Sequence, residues 1–533
     1  MTTDRAQVVV IGGGATGTGI LRDLALRGIS GILVEQGDLA HGTSSRFHGL
    51  LHSGARYAVK DKEAARECIE ENMILRKIAP NCVEETGGLF VQLKEDDPSY
   101  TDKWISSCAQ AGIPTEEVEI GELRRTYPVL SPDIVRAFRV PDCAVDGFRV
   151  LWSNVNSARQ YGGQVLTYHK LIGIKQSNGK ICGVEVANQL TGEHKYIECQ
   201  LVINAAGAWA GEVAAMAGLE VNVIKDKGTL VAYNHRLTNQ VVNRLRPPGD
   251  GDIFVPHGTI TILGTTSITV DEPSCSKPGQ QEVLDLIKIG SEMIPELQNF
   301  RMIRAFAGVR PLYQAGNGAV GRAVTRNFAL LDHQQQDGLN GLVSIVGGKF
   351  TTFRLMAEKT VDMAAQKLGV DAPSRTAEEP LTNPISKEIL ERGKKVFGVA
   401  GAKKAADRLG DNFVKVLEEA EKEPHKCKVF CECEAVSLAE IDFVARDGDS
   451  FTLGDIRRKT RLGMGTCQGT FCSYRTLGAL SSYDWTRNHK EFLTKFLQKR
   501  WKGIRPVMWG QQMREAQLST AIYCTLFGME RMK

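Results

Sequence analysis

Four cysteines near the C-terminal end, Cys431, Cys433, Cys467 and Cys472, stand in the order C-x-C, thirty-three residues, C-x4-C. Thiolate pairs on short loops ligate tetrahedral zinc or iron–sulfur clusters. Far upstream, Gly12-Gly13-Gly14-Ala15-Thr16-Gly17 spells G-x-G-x-x-G, the loop that lets backbone approach a dinucleotide pyrophosphate. One chain therefore pairs a two-electron organic cofactor with a thiolate-ligated metal centre. That pairing implies electrons taken from a small molecule and passed onward.

The elements around the glycine loop are those that must position it. Gln7-Val8-Val9-Val10-Ile11 is an apolar, β-branched run suited to a buried parallel strand. Ile20, Leu21, Leu24 and Ala25 then recur at helical spacing up to Gly28, and Ile32-Leu33-Val34 forms a second strand ending at Glu35. This is a complete βαβ unit. Gly12 permits the tight turn, Gly14 the approach of the pyrophosphate, and Gly17 close packing of helix on strand. The phosphates belong at the helix N-terminus, and Glu35 is placed to accept from ribose hydroxyls. A second match, Gly316-Asn317-Gly318-Ala319-Val320-Gly321, follows Arg310-Pro311-Leu312-Tyr313 and precedes a strand-like stretch from Val324 to Leu331. It reads as a hairpin loop. One dinucleotide site remains, for NAD or FAD.

Bulk properties narrow the class. The 533 residues suffice for two or three domains, and 42% apolar with 24% charged residues fits a soluble globular chain. A net charge of +4 gives no field that points to nucleic acid. Met1 to Gln7 lacks the apolar stretch of a signal peptide, so a cytoplasmic location is expected. No uncharged apolar run approaches the roughly 20 residues that span a bilayer. Of 13 cysteines, five crowd between Cys427 and Cys472, which in a cytosolic chain reads as metal or redox chemistry before disulfides.

Distant segments favour FAD. Leu201-Val202-Ile203-Asn204 is a buried strand running into Ala205-Ala206-Gly207-Ala208-Trp209, small residues against which a cofactor can lie. Leu342 to Val346 is another, ending in Gly347-Gly348-Lys349-Phe350-Thr351-Thr352 before a helix through Leu355, Met356, Val361 and Ala364. That helix N-terminus would stabilise negative charge on a reduced flavin. The segments GGGATGTGILRDLALRG, TSSRFHGLLHSGARY, VINAAGAWA, ILGTTS, FAGVRPL and VGGKFTTFRLMAE together resemble the FAD-dependent glycerol-3-phosphate dehydrogenases, over roughly residues 7–370. With the cysteine module behind them, the chain resembles the anaerobic branch of that family.

The resemblance implies a fold of mixed α/β and α+β class. A Rossmann-like FAD-binding domain of the glycine-oxidase type would interleave with an antiparallel-sheet substrate domain, and a small [2Fe–2S] domain would follow. It implies FAD held by Gly12, Gly14, Gly17, Glu35, Ser44, Ser45, Ala206, Gly207, Gly347, Gly348, Lys349 and Thr351. Oxidising glycerol 3-phosphate needs a base and cations for a phosphate dianion. His52 and Arg56, four residues apart, offer a base and a cation. Arg310 offers a second cation, whose planar fork donates bidentate bonds. Arg56 and Arg310 match the family's substrate-pocket arginines, and Lys349 its lysine near the flavin. Thr265 and Thr266 are candidate supporting hydroxyls, and His48 lies close enough to His52 to compete as base.

The C-x-C and C-x4-C spacing resembles the small [2Fe–2S] domains of the bacterioferritin-associated ferredoxin type, including Gly463-Met464-Gly465-Thr466-Cys467-Gln468-Gly469. Zinc or an empty redox site is the alternative, and Cys427 falls outside the spacing. The expected organisation is 1–372 oxidoreductase domain, 373–425 linker and helical segment, 426–480 [2Fe–2S] domain, and 481–533 tail. Leu518, Ile522 and Leu526 give that tail one apolar helical face, for docking on the chain's own body, on a partner subunit or on a membrane surface. The resemblance implies a dehydrogenase feeding partner subunits and quinone at the inner face of the cell membrane. A 2-hydroxy-acid dehydrogenase and a non-catalytic iron–sulfur carrier or redox sensor are the competing readings.

Overall fold

The computed structural model describes residues 2–313, 327–446, 449–483, 488–526 and 528–529. Its centre is a six-stranded sheet in the order Gln164–Leu166, Gly31–Val34, Val8–Ile11, Leu201–Asn204, Leu342–Gly347, Phe328–Asp332. The first five strands are parallel and the last is antiparallel. The apolar runs of the sequence are continuous because both faces are covered. Val8 and Val10 point into a core shared with Ile20, Leu21 and Leu24 of helix Ala15–Leu26 and Met356 and Val361 of helix Phe353–Leu368. Val9 and Ile11 point the other way, against Val184, Val186 and Ile197 of a second, four-stranded sheet. The period of two along one strand thus builds two cores.

A nine-stranded mixed sheet forms the other half of the body. Its spine is an antiparallel pair, Val223–Tyr233 with Met302–Tyr313, in register along both strands apart from one shift near Tyr233. Helix Gln280–Met293 covers one face, with Val283, Leu286 and Met293 buried against Tyr233, Phe254 and Leu263. The interleaved architecture expected from the sequence is present. The second glycine pattern, Gly316 to Gly321, lies outside the described residues. The strand expected from Val324 is described from Phe328 to Asp332.

The segment from Thr376, expected as a linker, is instead tied to the body. Arg22 donates to the carbonyl of Glu379 at 2.7 Å, Arg354 donates to Thr376 Oγ1 at 3.0 Å, and Leu381 is buried. Its Pro, Ser and Thr content keeps it out of helix and strand, but its carbonyls and hydroxyls satisfy two buried arginines. Helices Lys387–Leu409, broken at Gly398, and Phe413–Lys422 follow and pack with Leu438–Arg446 and Cys472–Ala479 around one core.

The tail turns back onto the body. Helix His489–Ile504 buries Leu493, Phe496 and Leu497 against Leu453 and Leu477. Val507 reaches the core of the nine-stranded sheet. In the stretch after Gly510, Tyr523 is buried and its hydroxyl donates to the Thr470 carbonyl at 2.6 Å, while Leu518 is exposed. Among the described residues no helix is long and apolar enough to cross a membrane.

Candidate active site and cysteine centre

A cavity of about 790 Å³ opens at the C-terminal ends of the parallel strands and runs to the nine-stranded sheet. Gly12, Gly14, Glu35, Ser44, Ala206, Gly207, Gly347, Gly348 and Lys349 line it, together with His48, His52, Arg56, Thr265 and Arg310. Gly17, Ser45, Thr266 and Thr351 do not line it. Gly17 sits beneath the loop, where a Cβ would lie 1.9 Å from the Gly12 carbonyl oxygen. Ser45 donates to the Gly42 carbonyl at 3.3 Å and so serves its own turn. Thr266 donates to the Glu282 carboxylate at 3.0 Å, below the wall.

The glycine loop is shaped by close approach. Gly12 has φ +113°, and a Cβ there would stand 2.6 Å from the Ala205 carbonyl oxygen. The Ala15 amide, first in its helix, donates to Ser44 Oγ at 2.9 Å. Ser44 therefore marks the positive end of that helix, where an anion is favoured. Glu35 accepts from the amides of Gly13 at 2.7 Å and Gly37 at 2.8 Å. Burial pushes its carboxyl up, and those two bonds work against the shift.

At the other end stand the two arginines, each braced by a fully buried carboxylate. Arg310 donates through Nη1 to Asp226 Oδ2 at 2.5 Å and through Nη2 to the Thr266 carbonyl at 3.1 Å and to Thr265 Oγ1. Arg56 donates through Nη2 to Asp252 Oδ2 at 3.2 Å and to the Gly249 carbonyl at 3.0 Å. Its Nη1 is buried and makes no hydrogen bond among the described residues. Lys349 Nζ lies 5.3 Å from the centre of the Tyr57 ring.

Two histidines lie between these cations and the loop, their ring centres 5.7 Å apart. His48 accepts at Nδ1 from the Leu50 amide at 3.1 Å, so its neutral ring carries the proton on Nε2. Burial, then Arg310 and Arg56, hold its pKa down at about 3. His48 is a donor here, and a second proton is refused. His52 is 8% exposed, its ring centre is 5.3 Å from that of Tyr57, and its amide donates to Thr351 Oγ1 at 3.1 Å. Thr351 thus acts from behind the wall by fixing the His52 backbone.

The four cysteines are brought together. Cys431 is in thiol contact with Cys433 and Cys472, and Cys467 is in contact with the same two. Hydrogen bonds from Cys433 and then Cys472 hold the Cys431 and Cys467 thiols well below the usual thiol range, while Cys433 and Cys472 are pushed up by the same sharing. Backbone amides of Gly463 and Glu434 donate to Cys431, and those of Phe471 and Gly469 to Cys467. Among the described residues no group of three or more His, Cys, Asp or Glu side chains stands ready to hold a metal ion as placed. The donor set still fits thiolate ligation: four sulfurs, with amide bonds that favour their anionic form. Cys427 donates to the Pro424 carbonyl at 2.8 Å, away from this ring.

With this geometry in place, similarity to known proteins is decisive. Residues 7–354 match the family FAD dependent oxidoreductase. The A subunit of the anaerobic glycerol-3-phosphate dehydrogenase of Escherichia coli K12 is 42% identical over 533 residues, covering 99% of this chain and 97% of its own. The A1 subunit of the Haloferax volcanii enzyme of the same name is 45% identical over 530 residues, covering 97% and 89%. The chain belongs to the FAD-dependent oxidoreductases, among the anaerobic glycerol-3-phosphate dehydrogenase A subunits. The glycerol-3-phosphate dehydrogenase of Bacillus halodurans, solved with FAD, shares the fold with a TM-score of 0.67 at 22% identity, covering 99% of this chain and 97% of its own.

FAD fits this member of the FAD-dependent oxidoreductases. The glycine contacts leave no room for side chains where a pyrophosphate would lie, and the volume is within the roughly 300–1,000 Å³ of ligand sites. The sequence does not mark Asp226 and Asp252, which brace the arginines, or Tyr57, whose ring lies beside His52 and Lys349. For Asp226 the signal is strand register, which places it opposite Arg310.

Proposed function

We propose that the chain oxidises sn-glycerol 3-phosphate to dihydroxyacetone phosphate. The observation that carries this reading is end-to-end likeness to anaerobic glycerol-3-phosphate dehydrogenase A subunits, together with two braced arginines facing a histidine pair across one cavity. Arg56 and Arg310 bind the phosphate. His52 takes the proton of the 2-hydroxyl while C2 gives up a hydride. His48, neutral and protonated at Nε2, donates to an oxygen and does not compete for that proton. Lys349 adds positive charge beside the reacting carbon. FAD, when bound, would supply the hydride acceptor, held by Gly12, Gly14, Glu35, Ser44, Ala206, Gly207, Gly347, Gly348 and Lys349, with Gly17 and Thr351 shaping the wall from behind.

Cys431, Cys433, Cys467 and Cys472 would hold a [2Fe–2S] cluster, which would supply a one-electron path toward partner subunits and membrane quinone. The gathering of the four sulfurs and the amide bonds to Cys431 and Cys467 support this part. The corresponding division is an oxidoreductase domain to residue 372, a tied helical segment, the cysteine domain at 426–480, and a tail docked on the chain's own body, with peripheral placement at the inner face of the membrane through partner subunits.

Heat release of the cofactor with identification by mass tests the first part. FAD is expected, and NAD alone overturns it. Anaerobic preparation with iron and zinc counts, then EPR after dithionite, tests the second. Zinc without iron makes the module structural.

A further inference from the structure

Arg500 is an almost fully buried guanidinium, 5% exposed, and pairs with no carboxylate among the described residues. Its Nη2 donates to the Gly463 carbonyl at 2.9 Å and to Gln468 Oε1, and its Nε donates to the Gln468 carbonyl at 3.3 Å. Both partners belong to the cysteine loops. The Gly463 amide donates to Cys431, and Gln468 stands between Cys467 and the Gly469 amide that donates to it. A buried cation needs an opposite charge nearby, and one without a partner is strongly unfavourable. Its charged neighbours Arg304 and Arg457 are of like sign, and the groups that favour its charge are the Cys472 and Cys467 sulfurs, which become anionic when they ligate a metal. Arg304 shares the same relay, donating to Gln468 Oε1 at 3.3 Å.

We infer that Arg500 is the fixed counter-ion of the four-cysteine centre and a positioning residue that sets how readily the centre accepts an electron. This rests on the reading that the four thiolates hold a two-iron cluster. Such a centre takes up one electron from the reduced flavin, one iron passing from ferric to ferrous with no proton, and so gains one negative charge. A guanidinium held in low dielectric favours the more negative form. Arg500 therefore raises the reduction potential, and Gln468 holds the arginine and the loop in one geometry. Arg304 links this arrangement to strand Met302–Tyr313, the strand that carries Arg310 at the substrate cavity.

The test is a potentiometric titration of the full-length, anaerobically prepared chain, followed by EPR, for parent, Arg500→Met and Arg500→Lys. The expected result is retained iron in all three. In Arg500→Met the reduced-to-oxidised ratio at fixed potential falls about tenfold, a shift of about 59 mV for a one-electron couple. Arg500→Lys recovers most of that loss because the charge remains. Equal potentials for parent and Arg500→Met overturn the inference, as do equal shifts in the Met and Lys variants, which would make the effect loop geometry alone. Should Arg500→Met fail to hold iron, Arg304→Met removes the second guanidinium on Gln468 from outside the loop. A potential unchanged in that variant also overturns it. Absence of iron from the parent is a different failure, that of the cluster reading itself.

Discussion

Arg310 and Asp226 stand directly opposite each other on the antiparallel pair Met302–Tyr313 and Val223–Tyr233, and their side chains meet at 2.5 Å. Asp226 is fully buried, so it holds the guanidinium at the cavity wall while Arg310 keeps 22% of its side chain exposed. Asp226→Asn is expected to raise KM for glycerol 3-phosphate with a smaller effect on kcat. It should also lower stability by up to about 3 kcal/mol, the low end for breaking a buried pair. Steady-state kinetics and urea unfolding check both. An unchanged KM would mean that Arg310 is positioned without Asp226.

The glycine loop admits no side chain at its base. Gly17→Ala places a Cβ against the Gly12 carbonyl, and Gly12→Ala places one against that of Ala205 at a positive φ. Both variants should purify with little FAD, read as the ratio of visible to ultraviolet absorbance. Full FAD content in Gly17→Ala would show that the loop relaxes and that the cofactor does not depend on this packing.

His48 gives stability a defined pH dependence. The unfolded chain binds a proton at this ring below about pH 6.5, whereas the folded chain refuses it down to about 3. The contribution of His48 is therefore complete above pH 6.5 and declines by at most about 1.4 kcal/mol per unit as the pH falls toward 3. His48→Gln keeps an acceptor for the Leu50 amide and removes the titration. Urea midpoints at pH 7.5 and 5.5 should fall less in the variant than in the parent. Equal falls would mean that His48 titrates normally in the folded state.

His52→Asn should lower kcat by about 10²–10⁴, the range for loss of a general base, and leave FAD content unchanged. The acid limb of the pH–rate profile should disappear in the variant. A variant with the parent's kcat and profile would move the base elsewhere.

The cofactor half of the site was legible because its signals are local. Strand, glycine loop, helix and Glu35 lie within 29 consecutive residues, and the apolar run from Val8 to Ile11 is the buried parallel strand that its composition implies. The braces were not legible, because Asp226 and Asp252 are ordinary acids until register and loop closure put them beside Arg310 and Arg56. The stretch at Thr376 looked like a linker for the same reason. Its composition excludes regular structure, but only the fold reveals that buried Arg22 and Arg354 need its oxygens. The cysteine spacing singled out four residues whose thiols meet, while Arg500, about thirty residues further along, carried no motif to announce it.

The most direct measurement is anaerobic addition of glycerol 3-phosphate to the purified chain while the visible flavin absorbance is followed, beside Arg56→Ala, Arg310→Ala and a 2-hydroxy acid as competing substrate. The account predicts rapid bleaching of the parent by glycerol 3-phosphate and weak response to the 2-hydroxy acid. Each arginine variant should lose about 2–5 kcal/mol of substrate interaction. Equal bleaching of parent and variants, or faster bleaching by the 2-hydroxy acid, would contradict it.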